Sequence, residues 1–381
     1  MSDTGGTDDR YDAIVVGVGG AGSATTYHLA RRGFDVLGIE RYDIPHAMGS
    51  SHGSTRIVRK AQHEDPAYVP LVERAYELWR ALERETGRDL LHVTGSVHAG
   101  APGTDVVADA RRSCEAHDID YEQLSAETVN ERFPGYDLPT DFEALYQPAG
   151  GFLDVERCVT AHVEAAHAAG ATVRGRERVL DWAETGDGVR VRTDKGRYAA
   201  DELVLTAGSW TGELLPDLAE QAVPVRALMA WLQPERPEWF TPDRFPVFMI
   251  RDGAEGGYGF PVYDVPGFKF GRSSDPEEVV DPDTMDREPT AAEEQLCRRF
   301  AERFFPAGAG PTLALRTCLV SHSADEHFVL GRHPDYGAVT VGAGFTGHGF
   351  KFTSVLGEIL ADFATAGETD HDVAIHHIDR L

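Results

Sequence analysis

Lysine is almost absent from this chain of 381 residues, in which only Lys60, Lys195, Lys269 and Lys351 occur. The formal net charge is −27 at pH 7, with 63 acidic residues against 36 basic ones. A surface of this sign repels phosphate backbones and anionic lipid headgroups, so we expect neither nucleic acid nor membrane as a partner. The composition indicates a salt-rich cytoplasm, where dissolved ions screen the repulsion between the acidic side chains. The alternative explanation is that the amino-acid composition became acidic through the base composition of a GC-rich genome.

Cysteine and long apolar segments are also scarce. The four cysteines are widely spaced and form no C-x-x-C pair, so we expect no disulfide framework and no metal site. His376 and His377 are neighbours in a predicted strand and face opposite sides, which makes them a poor metal pair. No run of about 18 apolar residues occurs, and the N-terminus lacks a basic and apolar leader. We therefore expect a cytoplasmic protein without a membrane span or a signal peptide.

The segment 12–40 has the pattern of a dinucleotide-binding unit. An apolar strand is predicted over Ala13–Val16, a helix over Ala21–Arg32 and a second strand over Asp35–Ile39. The turn between the first strand and the helix carries G-x-G-x-x-G, formed by Gly17, Gly19 and Gly22. These glycines permit the tight turn, the approach of backbone to a pyrophosphate and the packing of helix on strand. Glu40 ends the second strand, where its carboxylate can accept hydrogen bonds from both ribose hydroxyls.

A second glycine-rich turn, GAGFTGHGFKF, spans Gly342–Phe352 and opens a helix predicted to reach about Ala366. The free N–H groups at the start of that helix can stabilise negative charge on a reduced flavin. A cofactor bound by both ends of the chain, with the middle left for substrate, indicates FAD rather than a nicotinamide nucleotide.

The middle of the chain changes pattern twice. A helix over Ala161–Gly170, followed by short apolar strands, indicates a return to the cofactor domain, whereas Pro216–Thr317 carries aromatic strands broken by Pro and Gly. We expect an α/β (α+β) fold of two domains, one of Rossmann type that binds FAD and one built on an antiparallel sheet that holds the substrate. The predicted FAD-binding domain comprises residues 10–60, 148–215 and 321–381, and the substrate domain comprises residues 61–147 and 216–320.

Four blocks, in this order, resemble the family of monomeric sarcosine oxidase and N-methyltryptophan oxidase, which has the D-amino-acid-oxidase-like fold. The blocks are Gly17–Glu40, Gly49–Arg59 (GSSHGSTRIVR), Tyr258–Gly271 and Cys318–Phe352. The resemblance runs over essentially the whole chain. It implies a monomeric flavoenzyme that oxidises a secondary amino acid, N-methyl or cyclic, to an imine, with oxygen as the acceptor and hydrogen peroxide as a product.

The resemblance also assigns roles to single residues. Cys318 matches the cysteine that attaches FAD covalently through a thioether. Arg59 and Lys351 match the pair that holds the substrate carboxylate, a role that suits two converging cations. Lys269 matches a lysine bridged through water to flavin N5, whose charge helps oxygen to accept an electron.

Further positions are assigned by the same resemblance. Tyr258 is expected to line the substrate site, and His348 is expected to lie beside the flavin. The glycines of the G-x-G-x-x-G turn, Glu40, Cys318 and Lys351 are expected to contact the cofactor. We expect the same of Arg41, Ser51, His52, Thr55, Arg56, Val179, Gly208, Gly347 and Gly349.

Three positions depart from the family pattern. Ser273 stands where sarcosine oxidases have a histidine, Val320 where they have a tyrosine and Ser54 where they have an aspartate. The first two changes remove polar groups from the expected substrate wall, which leaves room for a bulkier or more apolar amino acid than sarcosine.

Two other classes of function stay open. One is an FAD dehydrogenase that passes electrons to a carrier, against which the oxygen-site lysine argues. The other is a flavin-binding protein without catalysis, against which the pair of carboxylate-binding cations argues.

Overall fold

The computed structural model describes residues 9–253, 255–273 and 278–381. Most of the N-terminal segment on which the absence of a signal peptide was predicted lies outside the described residues. Within them the strands, in chain order, are β1 (Asp9–Val16), β2 (Val36–Ile39), β3 (Thr55–Val58), β4 (Leu91–Val93), β5 (Ser96–Gly100), β6 (Glu122–Ser125), β7 (Glu143–Gln147), β8 (Gly151–Asp154), β9 (Thr172–Arg174), β10 (Val179–Thr185), β11 (Gly188–Thr193), β12 (Arg197–Leu205), β13 (Val223–Leu232), β14 (Val247–Asp252), β15 (Glu255–Phe260), β16 (Phe268–Ser273), β17 (Glu278–Val279), β18 (Thr312–His322), β19 (Val329–Arg332) and β20 (Val339–Ala343). The α-helices are α1 (Gly20–Arg31), α2 (Tyr68–Thr86), α3 (Val106–Ala116), α4 (Ala126–Arg132), α5 (Val155–Ala168), α6 (Thr211–Leu214), α7 (Ala291–Phe304) and α8 (Thr353–Ala366).

The first sheet is built around β1. Strands β9, β2, β1, β12 and β20 pair in parallel, while β10 and β11 extend the sheet beyond β12 as an antiparallel meander and β19 pairs antiparallel with β20. Side chains alternate along β1, so Ala13 and Val15 pack with the helices, whereas Ile14 and Val16 join the core on the other face. Helix α1 packs between α5 and α8. This sheet is the Rossmann-type layer that the sequence predicts.

The second sheet is mainly antiparallel, in the order β17-β13-β16-β15-β14-β5-β7-β6, with β18 paired to β13. Only the contact between β14 and β5 is parallel among its described pairs. Helix α7 covers it through Phe300 and Phe304, which pack against a core of phenylalanines that includes Phe248 and Phe268. The predicted fold class, with one sheet of each kind, is confirmed.

A third, small sheet was not predicted. Strand β8 pairs with β3 on one side and with β4 on the other. Strand β3 carries the chain from the GSSHGS segment to Arg59 and thereby positions that side chain. The small sheet takes strands from both predicted domains, and β18 crosses the predicted boundary at residue 320. The division into two domains therefore stays a prediction.

Two local predictions were wrong. Helix α5 begins at Val155, six residues before the predicted start, because Asp154 caps it by accepting a hydrogen bond from the N–H of Arg157. His376 lies in a turn, and His377 makes a single bridge with Leu330 before a 3₁₀ turn begins, so the two histidines are not part of a strand.

Within the described residues, no helix combines the length and the apolar character needed to cross a bilayer. The same residues contain no group of three or more His, Cys, Asp or Glu side chains arranged to hold a metal ion.

Candidate active site

A large cavity lies where the carboxyl ends of β1, β2 and β12 approach the second sheet. Its lining runs from the glycine-rich turn after β1, past the turn after β2, to β18 and the loop before α8. The predicted site residues on this lining are Gly17, Gly19, Glu40, Arg41, Ser51, Arg56, Arg59, Val179, Gly208, Tyr258, Cys318, Gly347, His348, Gly349 and Lys351.

Two of the three glycines in the turn after β1, Gly17 and Gly22, have no room for a side chain. Gly17 has a φ of +87°, and a Cβ atom there would lie 2.5 Å from the carbonyl oxygen of Thr206. A Cβ atom on Gly22 would lie 1.8 Å from the carbonyl oxygen of Gly17, so Gly22 supports the turn from below and does not line the cavity. The N–H of Gly20 donates to Ser51 Oγ at 3.0 Å, which places a hydroxyl at the start of α1. The glycine-rich turn and the N-terminus of α1 together form a site that fits a pyrophosphate.

Glu40, at the end of β2, is a buried and ionised carboxylate. Its two oxygens accept hydrogen bonds from the N–H groups of Val18 and Tyr42, each at 2.9 Å, and His46 Nε2 lies 3.5 Å away. Burial raises the pKa of this carboxyl, but His46 and the backbone N–H groups outweigh it, so the pKa lies below its usual value. Oε2 has only the Val18 N–H as a partner and keeps a free lone pair, which suits a hydroxyl of a ribose.

Aromatic and charged side chains cover the cavity near Glu40. The guanidinium of Arg41 lies over the rings of Tyr42 and Trp210, at 5.2 and 5.6 Å from their centroids. Asp283 accepts a hydrogen bond from Trp210 Nε1 at 2.7 Å and pairs with Arg41 at 2.9 Å. A flat, cationic cover of this kind suits the adenosine half of a dinucleotide.

At the other end of the cavity Cys318 lies against an arginine. Arg56 Nη2 is 3.4 Å from the Sγ atom and also donates to the carbonyl oxygen of Ser50 at 2.7 Å. All four cysteines are among the described residues, and of them only Cys318 lines the cavity. Burial raises the pKa of the Cys114 and Cys297 thiols to about 11, as is typical of inert cysteines packed in a core.

Lys269 lies behind the cavity wall and does not line it. Its Nζ atom donates to the carbonyl oxygens of Gly53 and Thr55, at 2.6 and 2.7 Å, and to Thr55 Oγ1 at 3.0 Å. Burial lowers the pKa of this amine well below its usual value. Two carbonyl oxygens and a hydroxyl surround the amine, so all three N–H bonds of an ammonium group would find an acceptor here.

His52 and Thr55, two predicted cofactor contacts, also lie behind the wall. His52 is buried, its Nε2 atom has no hydrogen-bond partner within the described residues, and burial together with Arg56 lowers its pKa to about 3. Thr55 is occupied by Lys269. These residues and Gly22 are the predicted cofactor positions that the structure places outside the cavity lining.

The two predicted carboxylate-binding cations do converge, but on a carboxylate of the protein itself. Arg59 Nη2 donates to Glu64 Oε1 at 2.7 Å, and Lys351 Nζ lies 3.6 Å from the same oxygen. Arg59 also donates to the Ala61 carbonyl oxygen at 2.6 Å, and Lys351 donates to the His348 carbonyl oxygen at 3.0 Å. The sequence analysis missed Glu64, whose only signal is its position five residues after Arg59.

Burial and the neighbouring charges determine the protonation states of the side chains around Glu64. Burial lowers the pKa of Lys351 to about 7, although Glu64 opposes the shift. His63 Nε2 and His348 Nδ1 lie 3.9 and 3.7 Å from Glu64 Oε1, and burial lowers the pKa of each ring to about 3. Burial raises the pKa of Glu64, but Arg59 and its other neighbours hold it well below the usual range. At neutral pH the histidines are therefore neutral and Glu64 is ionised.

Comparison with known proteins agrees with this geometry. Residues 12–363 match the family described as DAO, FAD dependent oxidoreductase. The chain belongs to this family. It is 41% identical over 379 residues to the monomeric sarcosine oxidase of Streptomyces avermitilis, covering 97% of this chain and 98% of that protein. It is 32% identical over 382 residues to the N-methyl-L-tryptophan oxidase of Yersinia pestis, covering 97% and 99%.

A solved structure of the same kind is that of NikD, an unusual amino acid oxidase essential for nikkomycin biosynthesis. It superposes with a TM-score of 0.84 at 29% identity and covers 96% of each chain. The resemblance predicted from the sequence is confirmed. Gly17 and Gly22, which admit no Cβ, the carboxylate of Glu40 and the start of α1 fit the FAD on which this family depends.

The departures from the sarcosine oxidase pattern are distributed unevenly around the cavity of this oxidoreductase. Val320 lines it, as do Met249 and Phe345. Ser273, at the end of β16, and Ser54, whose Oγ bonds to Asp264 Oδ2 at 3.1 Å, do not. The lining therefore has an apolar side chain, Val320, at the position where the sarcosine oxidase pattern has a tyrosine.

Proposed function

We propose that this FAD-dependent oxidoreductase oxidises a secondary amino acid, N-methyl or cyclic, to an imine and passes the electrons to oxygen, which gives hydrogen peroxide. The observation that carries the proposal is the convergence of Arg59 and Lys351 on one point of the cavity that holds the FAD-binding turn. Two buried cations that meet in this way favour a carboxylate, and arginine binds it with paired donors.

Glu64 supports the same interpretation, because the protein supplies a carboxylate where we expect that of the substrate. The Arg59–Glu64 contact of 2.7 Å is a direct model of the contact that a bound amino acid would make. A substrate carboxylate would take the place of Glu64 on Arg59, which orients the amine and its adjacent C–H bonds towards the cofactor.

The protein residues contribute position, charge and exclusion of water. Bound FAD supplies the two-electron acceptor for the C–H bond next to nitrogen. Tyr258, Met249 and Val320 form an apolar wall that favours the neutral form of the amine and accommodates a substituent larger than a single methyl group. Lys269 holds a positive charge behind that wall, where we expect it to stabilise the negative charge that develops on oxygen.

We propose in addition that FAD is attached covalently through Cys318. The thiolate is the nucleophilic form of cysteine, and the guanidinium of Arg56 places a positive charge 3.4 Å from this sulfur. Burial raises the pKa of the thiols of Cys114, Cys158 and Cys297, which disfavours the thiolate that such a reaction needs. A monomeric state, a cytoplasmic location and adaptation to high salt complete the proposal.

An anaerobic substrate screen tests the proposed reaction. The purified protein is mixed with N-methyl and cyclic amino acids, with the corresponding primary amino acids and with secondary amines that lack a carboxylate. We expect the flavin absorbance to bleach with the secondary amino acids and much more slowly with both controls. Failure of every secondary amino acid to bleach the flavin, or equal bleaching by amines without a carboxylate, would contradict the proposal.

A further inference from the structure

Glu64 is a buried carboxylate with one oxygen bound and the other free. Oε1 faces Arg59 and Lys351, while Oε2 has no hydrogen-bond partner among the described residues. A buried carboxylate oxygen without a partner is costly while it is charged and is an available position for a proton. The Glu64 side chain is 15% exposed and lines the substrate cavity, so a ligand that displaces it from Arg59 lies against this side chain.

Binding of a substrate changes the charge balance around Glu64. A carboxylate that enters between Arg59 and Lys351 competes for the cations that keep Glu64 ionised. Glu64 then has a second negative charge beside it and fewer positive partners, and both changes raise the affinity of a carboxylate for a proton. The incoming amino acid carries a proton that it must lose, since a secondary amine is an ammonium group in water and must be neutral to be oxidised.

We propose that Glu64 accepts this proton, so that the amino acid binds as a zwitterion and becomes a neutral amine inside the complex. This inference rests on the proposed function. The N–H bond of the ammonium group breaks and an O–H bond forms on Glu64; the substrate changes from zwitterion to anion, Glu64 from anion to neutral acid, and no proton is exchanged with solvent.

The groups around Glu64 leave one alternative acceptor. His63, His98 and His348 are buried rings with nitrogens that lack partners, and Tyr68 lies near the same carboxylate. Burial keeps the pKa of His63 and His348 at about 3. We expect the pKa of Glu64 to lie well above this value once the substrate carboxylate has taken its cationic partners. Arg59 is always charged. Lys351, with a pKa of about 7, can take up a proton only above that pH, so a measurement near pH 6 separates it from Glu64.

The first experiment measures protons directly, using methoxyacetate, a carboxylate that has an ether oxygen in place of the amine. Calorimetric titrations at about pH 6, in buffers of different ionisation enthalpy, give the protons taken up per ligand bound. We expect about one proton for the wild-type holoenzyme and about none for Glu64→Gln. Glu64→Asp should retain the uptake. Glu73→Gln, which alters an exposed carboxylate paired with Lys60, should leave it unchanged.

The second experiment follows the efficiency of anaerobic flavin reduction at low concentrations of an amino-acid substrate between about pH 5 and 6.5. The wild type should show a nearly constant efficiency, because the proton stays within the complex. Glu64→Gln must release the proton to solvent before the amine can be oxidised, so its efficiency should fall about tenfold for each pH unit lowered.

Equal proton uptake in Glu64→Gln and wild type, or the same pH dependence of the efficiency of reduction in both, would overturn the assignment while leaving the proposed function intact. A wild-type protein that neither binds methoxyacetate nor is reduced by any secondary amino acid would refute the proposed function and this inference together.

Discussion

Replacement of Lys351 by methionine tests the carboxylate site most sharply. The side chain is 3% exposed, and its Nζ atom bonds to the His348 carbonyl oxygen at 3.0 Å and lies 3.6 Å from Glu64. Methionine has a similar length and no charge, so it removes the cation while filling the same space.

The expected loss follows from the geometry. Truncating one partner of a buried, charged pair costs about 2–5 kcal/mol. We take the lower end because Arg59 stays in place, and about 2 kcal/mol corresponds to about a 30-fold loss in the efficiency of flavin reduction. The pKa of Lys351 is about 7, so the ammonium is fully present below that pH, and the loss should be larger at about pH 6 than at about pH 8.5.

The assay is anaerobic stopped-flow reduction by an N-methyl amino acid and by the amine that lacks its carboxylate. Lys351→Met should lose about 30-fold with the first and little with the second. Arg59 still pairs with Glu64 in this variant, so the fold should be retained, and a melting curve checks that the loss of activity is not a loss of structure. Equal losses with both substrates would refute the carboxylate assignment and make Lys351 a structural residue.

Four further predictions concern other parts of the molecule. Lys269→Met should slow reoxidation by oxygen far more than reduction by substrate, because it removes the buried ammonium behind the cavity wall; equal oxygen reactivity in stopped flow would contradict this. Acid-precipitated wild-type protein should stay yellow, whereas Cys318→Ser should release its FAD to the supernatant; release from the wild type would exclude a covalent bond. With a net charge of −27, the protein should melt at a higher temperature in molar KCl than in dilute buffer. At 0.01 M salt the Debye length is about 30 Å, so like charges repel one another across much of the molecule. An unchanged melting temperature would argue against salt adaptation. Burial lowers the pKa of His28 to about 4 and of His162 to about 3, below the value of about 6.5 in an unfolded chain. Stability should therefore be complete above about pH 6.5 and decline as the pH falls towards 4, which melting curves can check; equal melting temperatures at pH 7.5 and 5 would contradict it.

The dinucleotide end of the site could be predicted from sequence because backbone sterics dictate it. Gly17 faces the Thr206 carbonyl oxygen and Gly22 faces Gly17, so no other residue type fits either position. Glu40 follows from the same rule, since a strand that ends beside a glycine-rich turn places its last side chain at the ribose. The sequence also contains a signal for the start of α5, because an aspartate followed by an acidic first turn marks a helix N-terminus; the predicted start at Ala161 overlooked it.

The substrate end depends on contacts that no periodic pattern encodes. The inward turn of Glu64 onto Arg59 depends on the small sheet that positions β3 and on the loop between β3 and α2. Lys269 was correctly placed on an aromatic strand, but its depth behind the cavity wall depends on the backbone of Gly53 and Thr55, which comes from a distant segment. The resemblance to known oxidases identified Arg59 and Lys269 but not Glu64, and the structure supplied the distances.

The most direct test of the proposed reaction is the stoichiometry of oxygen consumption with a secondary amino acid that bleaches the flavin. An oxygen electrode records uptake by the purified protein with and without catalase. If the protein is an oxidase that forms hydrogen peroxide, catalase should return half of the oxygen, and the imine should hydrolyse to the dealkylated amino acid or the ring-opened product in an amount equal to the peroxide formed. Flavin that is reduced by the amino acid but consumes no oxygen, and turns over only with an added electron carrier, would contradict the account and identify a dehydrogenase.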